Sequence, residues 1–219
     1  FSREFSAHGF GVDGDKILFL DSTLSIEKVF AHVNKISRAL KAKKPDAPIL
    51  VVWDTINASF TDKEAEKAEE GEHPSTMAGH RAQVIRSALR VTSSVLSQTN
   101  TCLFLVNHVY ESLGGPAFGP TKLSPGGMGP KFFASLRVYV RPGASIKDSI
   151  DEKSSIGHVV VFEIVKNKMA VPKRTCSCRF YYGEGYDDRW SVFDYLAGSM
   201  ILKRNSSWYS YEKFGEPVK

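Results

Sequence analysis

Two unbroken apolar runs, Ile49–Trp53 and 102–106, constrain this chain more than any other feature. Each stops abruptly in polar residues, the first at Asp54-Thr55 and the second at Asn107-His108. A strand that is apolar on both faces asks to be covered on both faces. That pattern belongs to a parallel sheet flanked by helices rather than to a half-exposed antiparallel one. Helical periodicity precedes each run. Ile26, Val29, Phe30, Val33, Ile36 and Leu40 recur three and four apart, with Ser25 and its neighbours as caps and Pro45 as the stop. Val84, Ile85, Ala88, Leu89, Val95 and Leu96 do the same within a helix expected over 77–98. Residues 17–20 read as a further short strand.

Downstream the pattern changes. Residues 136–140, 159–165, 175–182 and 208–211 read as strands, and 191–199 as a short helix. A turn at 170–173 containing Pro172 joins the middle pair, and so short a connection allows only antiparallel pairing. The predicted fold is one α/β domain over 1–219. Its central sheet is mainly parallel, flanked by helices, and is extended by antiparallel strands toward the C-terminus. Two stretches stand outside this scheme. Residues 62–72 are strongly acidic and read as a solvated loop or a short surface helix. Residues 114–130 are rich in Gly and Pro and too long for a routine turn, which predicts a functional, mobile loop.

With 219 residues, 42% hydrophobic and 24% charged, the chain can bury a core without staples. Disordered, collagen-like and disulfide-framework classes are excluded by the same figures. No apolar run is long enough for a transmembrane helix. The net charge of +5 permits a polyanionic partner without requiring one. Cys176 and Cys178 share one face of a strand and are poorly placed to bridge each other. Together with a lone Cys102 they predict a reducing, cytoplasmic compartment.

In an open parallel sheet, ligands bind beyond the carboxyl ends of the strands. If the two apolar strands are neighbours, Asp54, Asn107 and His108 converge there. A carboxylate in that position can hold a hydrated Mg²⁺ beside a nucleotide, and an imidazole can orient a phosphate. The plainer readings are a capping aspartate and a strand-end histidine. The companion phosphate cradle, G-x-x-x-x-G-K-[ST], is not found, since the chain contains no Gly-Lys dipeptide. Gly9, Gly11 and Gly14 fit G-x-G-x-x-G, but they precede a strand, which is the wrong context for a dinucleotide site. Lys166 and Lys168 end a β-branched strand on one face, either as a solvated edge or as a phosphate contact.

Four segments, in order and spacing, resemble the bacterial RecA recombinases. They are Gly126-Gly127-Met128-Gly129-Pro130-Lys131-Phe132-Phe133-Ala134-Ser135-Leu136-Arg137-Val138, Val165-Lys166-Asn167-Lys168, Tyr182-Gly183-Glu184-Gly185 and Trp208-Tyr209-Ser210-Tyr211. The resemblance is strong over about 48–219. His108, where bacterial RecA usually has glutamine, looks more like the phage UvsX branch. The resemblance implies a RecA-like core and an ATP- and Mg²⁺-dependent recombinase. Such a protein forms homo-oligomeric filaments on single-stranded DNA and pairs it with double-stranded DNA, with no membrane involved.

The same resemblance implies residue roles. Asp54 would be the acid that holds Mg²⁺ through water, with Thr55 and Asn107 beside the nucleotide. His108 would feel the γ-phosphate. Lys166 and Lys168 would reach the ATP of a neighbouring protomer, and Tyr182 and Gly183 would border the adenine. Residues 62–77 and 109–128 would be the two DNA loops, with Met77, Arg81, Lys122, Gly126 and Gly127 toward DNA. Lys131, Phe132 and Arg137 would lie at the protomer interface. It also implies that the phosphate cradle and a catalytic glutamate precede Phe1, so that this stretch alone would not hydrolyse ATP well. A RecA-fold helicase, or a non-catalytic DNA-binding or filament-capping module, are the rival readings.

Overall fold

The computed structural model describes residues 13–20, 23–71, 77–111, 122–123, 126–151, 153–213 and 216–218. Two compact units are present, Phe1–Phe133 and Ala134–Lys219.

In the first unit, α1 (Ile26–Lys43) starts where the Ser25 side chain accepts from the Lys28 amide. It leads into β1 (Ile49–Trp53). Next come α2 (Asp62–Glu69) and α3 (Ala78–Thr99), and α3 leads into β2 (Thr101–Leu105). Asn100 closes α3 in the left-handed conformation, a cap that asparagine tolerates well. β1 and β2 pair in parallel and in register, from Ile49 opposite Thr101 to Trp53 opposite Leu105. The core is Ile26 and Phe30 from α1, Trp53 and Ile56 around the end of β1, and Ile85 and Leu89 from α3. Phe30 meets Trp53 edge-on with ring centroids 5.1 Å apart. Each such side chain contributes roughly 1.5–3 kcal/mol by leaving water.

Two expectations are corrected here. Residues 17–20 form no paired strand: they follow a 3-10 turn at Gly14–Lys16, and Leu18 is exposed. Among the described residues of their unit, β1 and β2 are also not covered on both faces. Leu50, Val52 and Phe104 are 66%, 59% and 57% exposed, because α1 and α3 pack their apolar faces against the opposite side only.

After β2 the chain forms β3 (Tyr110–Glu111) and β4 (Lys122–Leu123), a short antiparallel ladder, and then α4 (Met128–Phe133). Phe133 packs on the core of this unit.

The second unit is built on β5 (Leu136–Lys147), β6 (Ser155–Asn167), β7 (Thr175–Tyr181) and β8 (Gly185–Tyr186), antiparallel in that order. α5 (Asp188–Gly198) begins with the Asp187 side chain accepting from the Trp190 amide. Arg179 of β7 lies over the Trp190 ring at 4.7 Å. Then β9 (Lys203–Asn205), β10 (Trp208–Lys213) and β11 (Glu216–Val218) form a separate antiparallel sheet. The expected mainly parallel sheet is therefore corrected. Among the described residues one pair is parallel, because only β1 and β2 are reached through helical crossovers, and the short downstream connections pair strands antiparallel. The α/β class itself, mixed sheets with flanking helices, stands.

Candidate functional site

The parallel register sets the geometry. Trp53 faces Leu105, the Val106 amide donates to the Trp53 carbonyl (3.0 Å), and the Ile56 amide donates to the Val106 carbonyl (3.3 Å). Asp54 and Asn107-His108 consequently leave the pair at one carboxyl edge. Asp54 and His108 are both exposed. The turn after Asp54 is closed on itself. Thr55 accepts the Asn57 amide on Oγ1 (3.1 Å) and the Ala58 amide on its carbonyl (3.2 Å). The Trp53 indole donates to Ser59 Oγ (3.1 Å). Ile56, 2% exposed, anchors this turn in the core. The Asp54-Thr55 peptide is cis.

The expected first DNA loop opens with a helix that the sequence also encodes as a capping box. Thr61 Oγ1 accepts from the Glu64 amide (3.2 Å), and the Glu64 carboxylate accepts from the Thr61 amide (2.7 Å). Glu64 also receives Arg81 from the first turn of α3, through Nε at 3.0 and 3.3 Å and the NH2 nitrogen at 2.9 Å. Burial pushes the Glu64 carboxyl up, but the Arg81 and Thr61 hydrogen bonds outweigh it and hold the group below the usual glutamate range. Met77, just before α3, is buried. Residues 72–76 lie outside the described residues.

The expected second loop begins at Val109. Its described ends are the β3–β4 ladder, where Lys122 pairs with Glu111, and the segment from Gly126 to α4. Residues 112–121 and 124–125 lie outside the described residues. Gly127 has φ +68°, and a Cβ there would stand 2.9 Å from Ala82 Cβ on α3. Only glycine fits that conformation and that approach without a shift. Gly126 lies against Ile85 of the same helix. In α4, Phe132 is 71% exposed and meets Phe133 edge-on at 5.3 Å.

In the second unit, Lys166 on β6 pairs with Arg137 on β5. Local burial, then the positive charges of Lys168 and Arg137, hold its ammonium below the usual lysine range. The Lys168 amide donates to the Ser135 carbonyl (2.9 Å). Tyr182 and Gly183 sit in the β7–β8 turn, where the Tyr182 amide donates to the Ile156 carbonyl (2.9 Å). An added Cβ on Gly157 would collide with the Phe180 carbonyl oxygen, so this close approach of β6 to β7 depends on glycine. His158 lies 5.8 Å from the Tyr182 ring and 5.5 Å from Phe180. Sequence reasoning passed over Glu64, although Thr61-x-x-Glu64 carries the capping-box signal.

The fold is α/β, mixed sheets with flanking helices, of the RecA-like class. The family model described as RecA N-terminal domain matches residues 7–187. Among curated proteins, Protein RecA of Ruminococcus albus is 33% identical over 164 residues, covering 75% of this chain and 39% of that protein. Protein RecA of Mycoplasma mycoides is 28% identical over 216 residues, covering 95% of this chain and 57% of that protein. Protein RecA of Lactiplantibacillus pentosus is 30% identical over 211 residues, covering 90% and 55%. The chain belongs to the RecA family, and it spans about half the length of these relatives. No helix among the described residues is long and apolar enough to cross a membrane.

Proposed function

We propose that this chain is part of an ATP-dependent DNA recombinase of the UvsX-like branch, whose protomers assemble on single-stranded DNA and pair it with homologous duplex. One observation carries the reading beyond family membership. The in-register pairing of Trp53 with Leu105 sends Asp54 and His108 off the same edge, and the expected second DNA loop starts at the next residue, with its glycine-rich part from Gly114.

Asp54 would hold Mg²⁺ through water, with Thr55 and Asn107 beside the triphosphate. A single exposed carboxylate suits an ion that keeps most of its waters. The ion would neutralise phosphate charge during transfer. His108 would bond the γ-phosphate, and backbone continuity would pass that contact to 109–128. Lys166 and Lys168 would bring positive charge to the ATP of a neighbouring protomer, and Tyr182 and Gly183 would border its base. Lys122, Gly126 and Gly127, with the stretch around Met77, would meet DNA mainly through phosphates. Lys131, exposed Phe132 and Arg137 would form part of a head-to-tail, non-closing contact between protomers.

The test is made on the full-length gene product. DNA-stimulated ATP hydrolysis and homologous pairing are expected together. Directional unwinding of a forked duplex without pairing would make it a RecA-fold motor instead. Nucleotide-independent DNA binding with no hydrolysis would make it a non-catalytic module.

A further inference from the structure

Arg81 joins three segments through one guanidinium. It pairs with Glu64 of α2, at the start of the first loop, through Nε (3.0 Å) and the NH2 nitrogen (2.9 Å). It reaches the Asn57 carbonyl, in the turn that follows Asp54, through its NH1 nitrogen (3.5 Å). It belongs to the first turn of α3, where its own amide donates to the Met77 carbonyl (3.1 Å). The Glu64 side chain is 7% exposed and Thr61 is fully buried, so the carboxylate has little access to water. If Arg81 left for a DNA phosphate, a nearly buried carboxylate would lose its cation, which is strongly unfavourable. The turn at 55–59 is in turn bonded to Val106, two residues before His108.

We propose that Arg81 and Glu64 form a positioning clasp. It fixes the Asp54 turn relative to the base of the first DNA loop, so that nucleotide and DNA sites share one mechanical connection, and Arg81 is not itself a phosphate contact. The clasp rests on the functional reading above for its purpose, but not for its existence. The fork of an arginine is needed because a lysine ammonium cannot span a carboxylate and a carbonyl in fixed planar geometry.

Two measurements on the full-length gene product, the second with ATP present, test it, using Arg81→Met, Glu64→Gln, the double variant and the conservative Arg81→Lys. The first is amide hydrogen exchange at Ile56, Asn57 and Ala58. Both single variants are expected to exchange about tenfold faster or more than wild type, as befits losing a charged hydrogen bond. The double variant should add little, and Arg81→Lys should fall between. Unchanged exchange at these amides in both single variants would overturn the clasp. The second is the affinity of a fluorescein-labelled oligo-dT strand as a function of salt. The clasp requires both single variants to bind more weakly, with the salt slope unchanged. Tighter binding by Glu64→Gln, with Arg81→Met losing a slope of about 0.7 for one phosphate, would make Arg81 a DNA contact and overturn the proposal. If wild type shows no affinity for oligo-dT, the DNA-binding reading fails, and the exchange measurement still decides the clasp.

Discussion

Arg81 and Ala82 are adjacent on α3, and they serve different loops. Arg81 clasps Glu64 at the start of the first, while Ala82 Cβ is the surface on which Gly127 of the second is seated. Both contacts fall within the opening turns of one helix, on the same stripe that carries Ile85 and Leu89 into the core three to eight residues further on. A shift of α3 would move both loop bases at once, which is how a packed element turns a small displacement into a shared response.

Replacing Gly127 with alanine should therefore be costly. The residue would keep a left-handed φ of +68° and press a methyl against Ala82. A loss of about 2 kcal/mol is expected from the two effects together. Urea unfolding of this chain measures it. Ala82→Gly should relieve the methyl contact but not the backbone strain, so the double variant should lose less than the sum of the singles by about 0.5 kcal/mol or more. Strict additivity would mean that the seat on α3 is not made in solution.

The Glu64–Arg81 pair gives a pH signature. The folded-state pKa of Glu64 lies below its ordinary value, so the stability it confers is present above the unfolded pKa of about 4.3 and is lost as pH falls through the lower folded value. Thermal midpoints of wild type should exceed those of Glu64→Gln at neutral pH, and the gap should close on the acid side. A gap that is flat down to the lowest accessible pH would contradict the ion pair.

Thr61→Ala removes the hydroxyl that accepts the Glu64 amide and should cost about 1–2 kcal/mol. Thr61→Ser should recover most of it. Urea midpoints for the three proteins decide the matter, and equal midpoints would exclude the capping role.

DNA affinity should fall with salt. For single strands the log–log slope is about −0.7 per neutralised phosphate, with little dependence on base sequence. Fluorescence anisotropy over a salt series reads it directly. A flat response would argue against a phosphate-tracking groove.

Much of this was legible in the chain. The two helix-then-strand units and the antiparallel β6–β7 pair follow from periodicity and a proline-bearing turn. Other features depend on information that a local pattern does not hold. The continuous apolar runs of β1 and β2 report a demand for cover on two faces, yet the open face with Leu50, Val52 and Phe104 shows that they do not report what meets it. β5 runs on to Lys147 through Pro142 and Gly143, where local signals predict an end, because pairing with β6 carries it past register shifts. α4 contains Gly129 and Pro130 and reads as loop, but a proline near a helix start loses no hydrogen bond. At the site, Asp54 and His108 were visible as polar ends of strands. The clasp was not, because residues 17 apart meet only once α2 and α3 are folded.

The most direct measurement is DNA-stimulated ATP hydrolysis by the full-length gene product carrying Asp54→Asn. Asp54 is exposed, so the fold should survive the change. Turnover should drop by roughly a hundredfold or more, the scale of losing a group that stabilises transferring phosphate charge. Turnover equal to wild type would contradict the assignment of the Asp54 edge as the nucleotide site, and with it the account of how His108 and the glycine-rich loop respond to ATP.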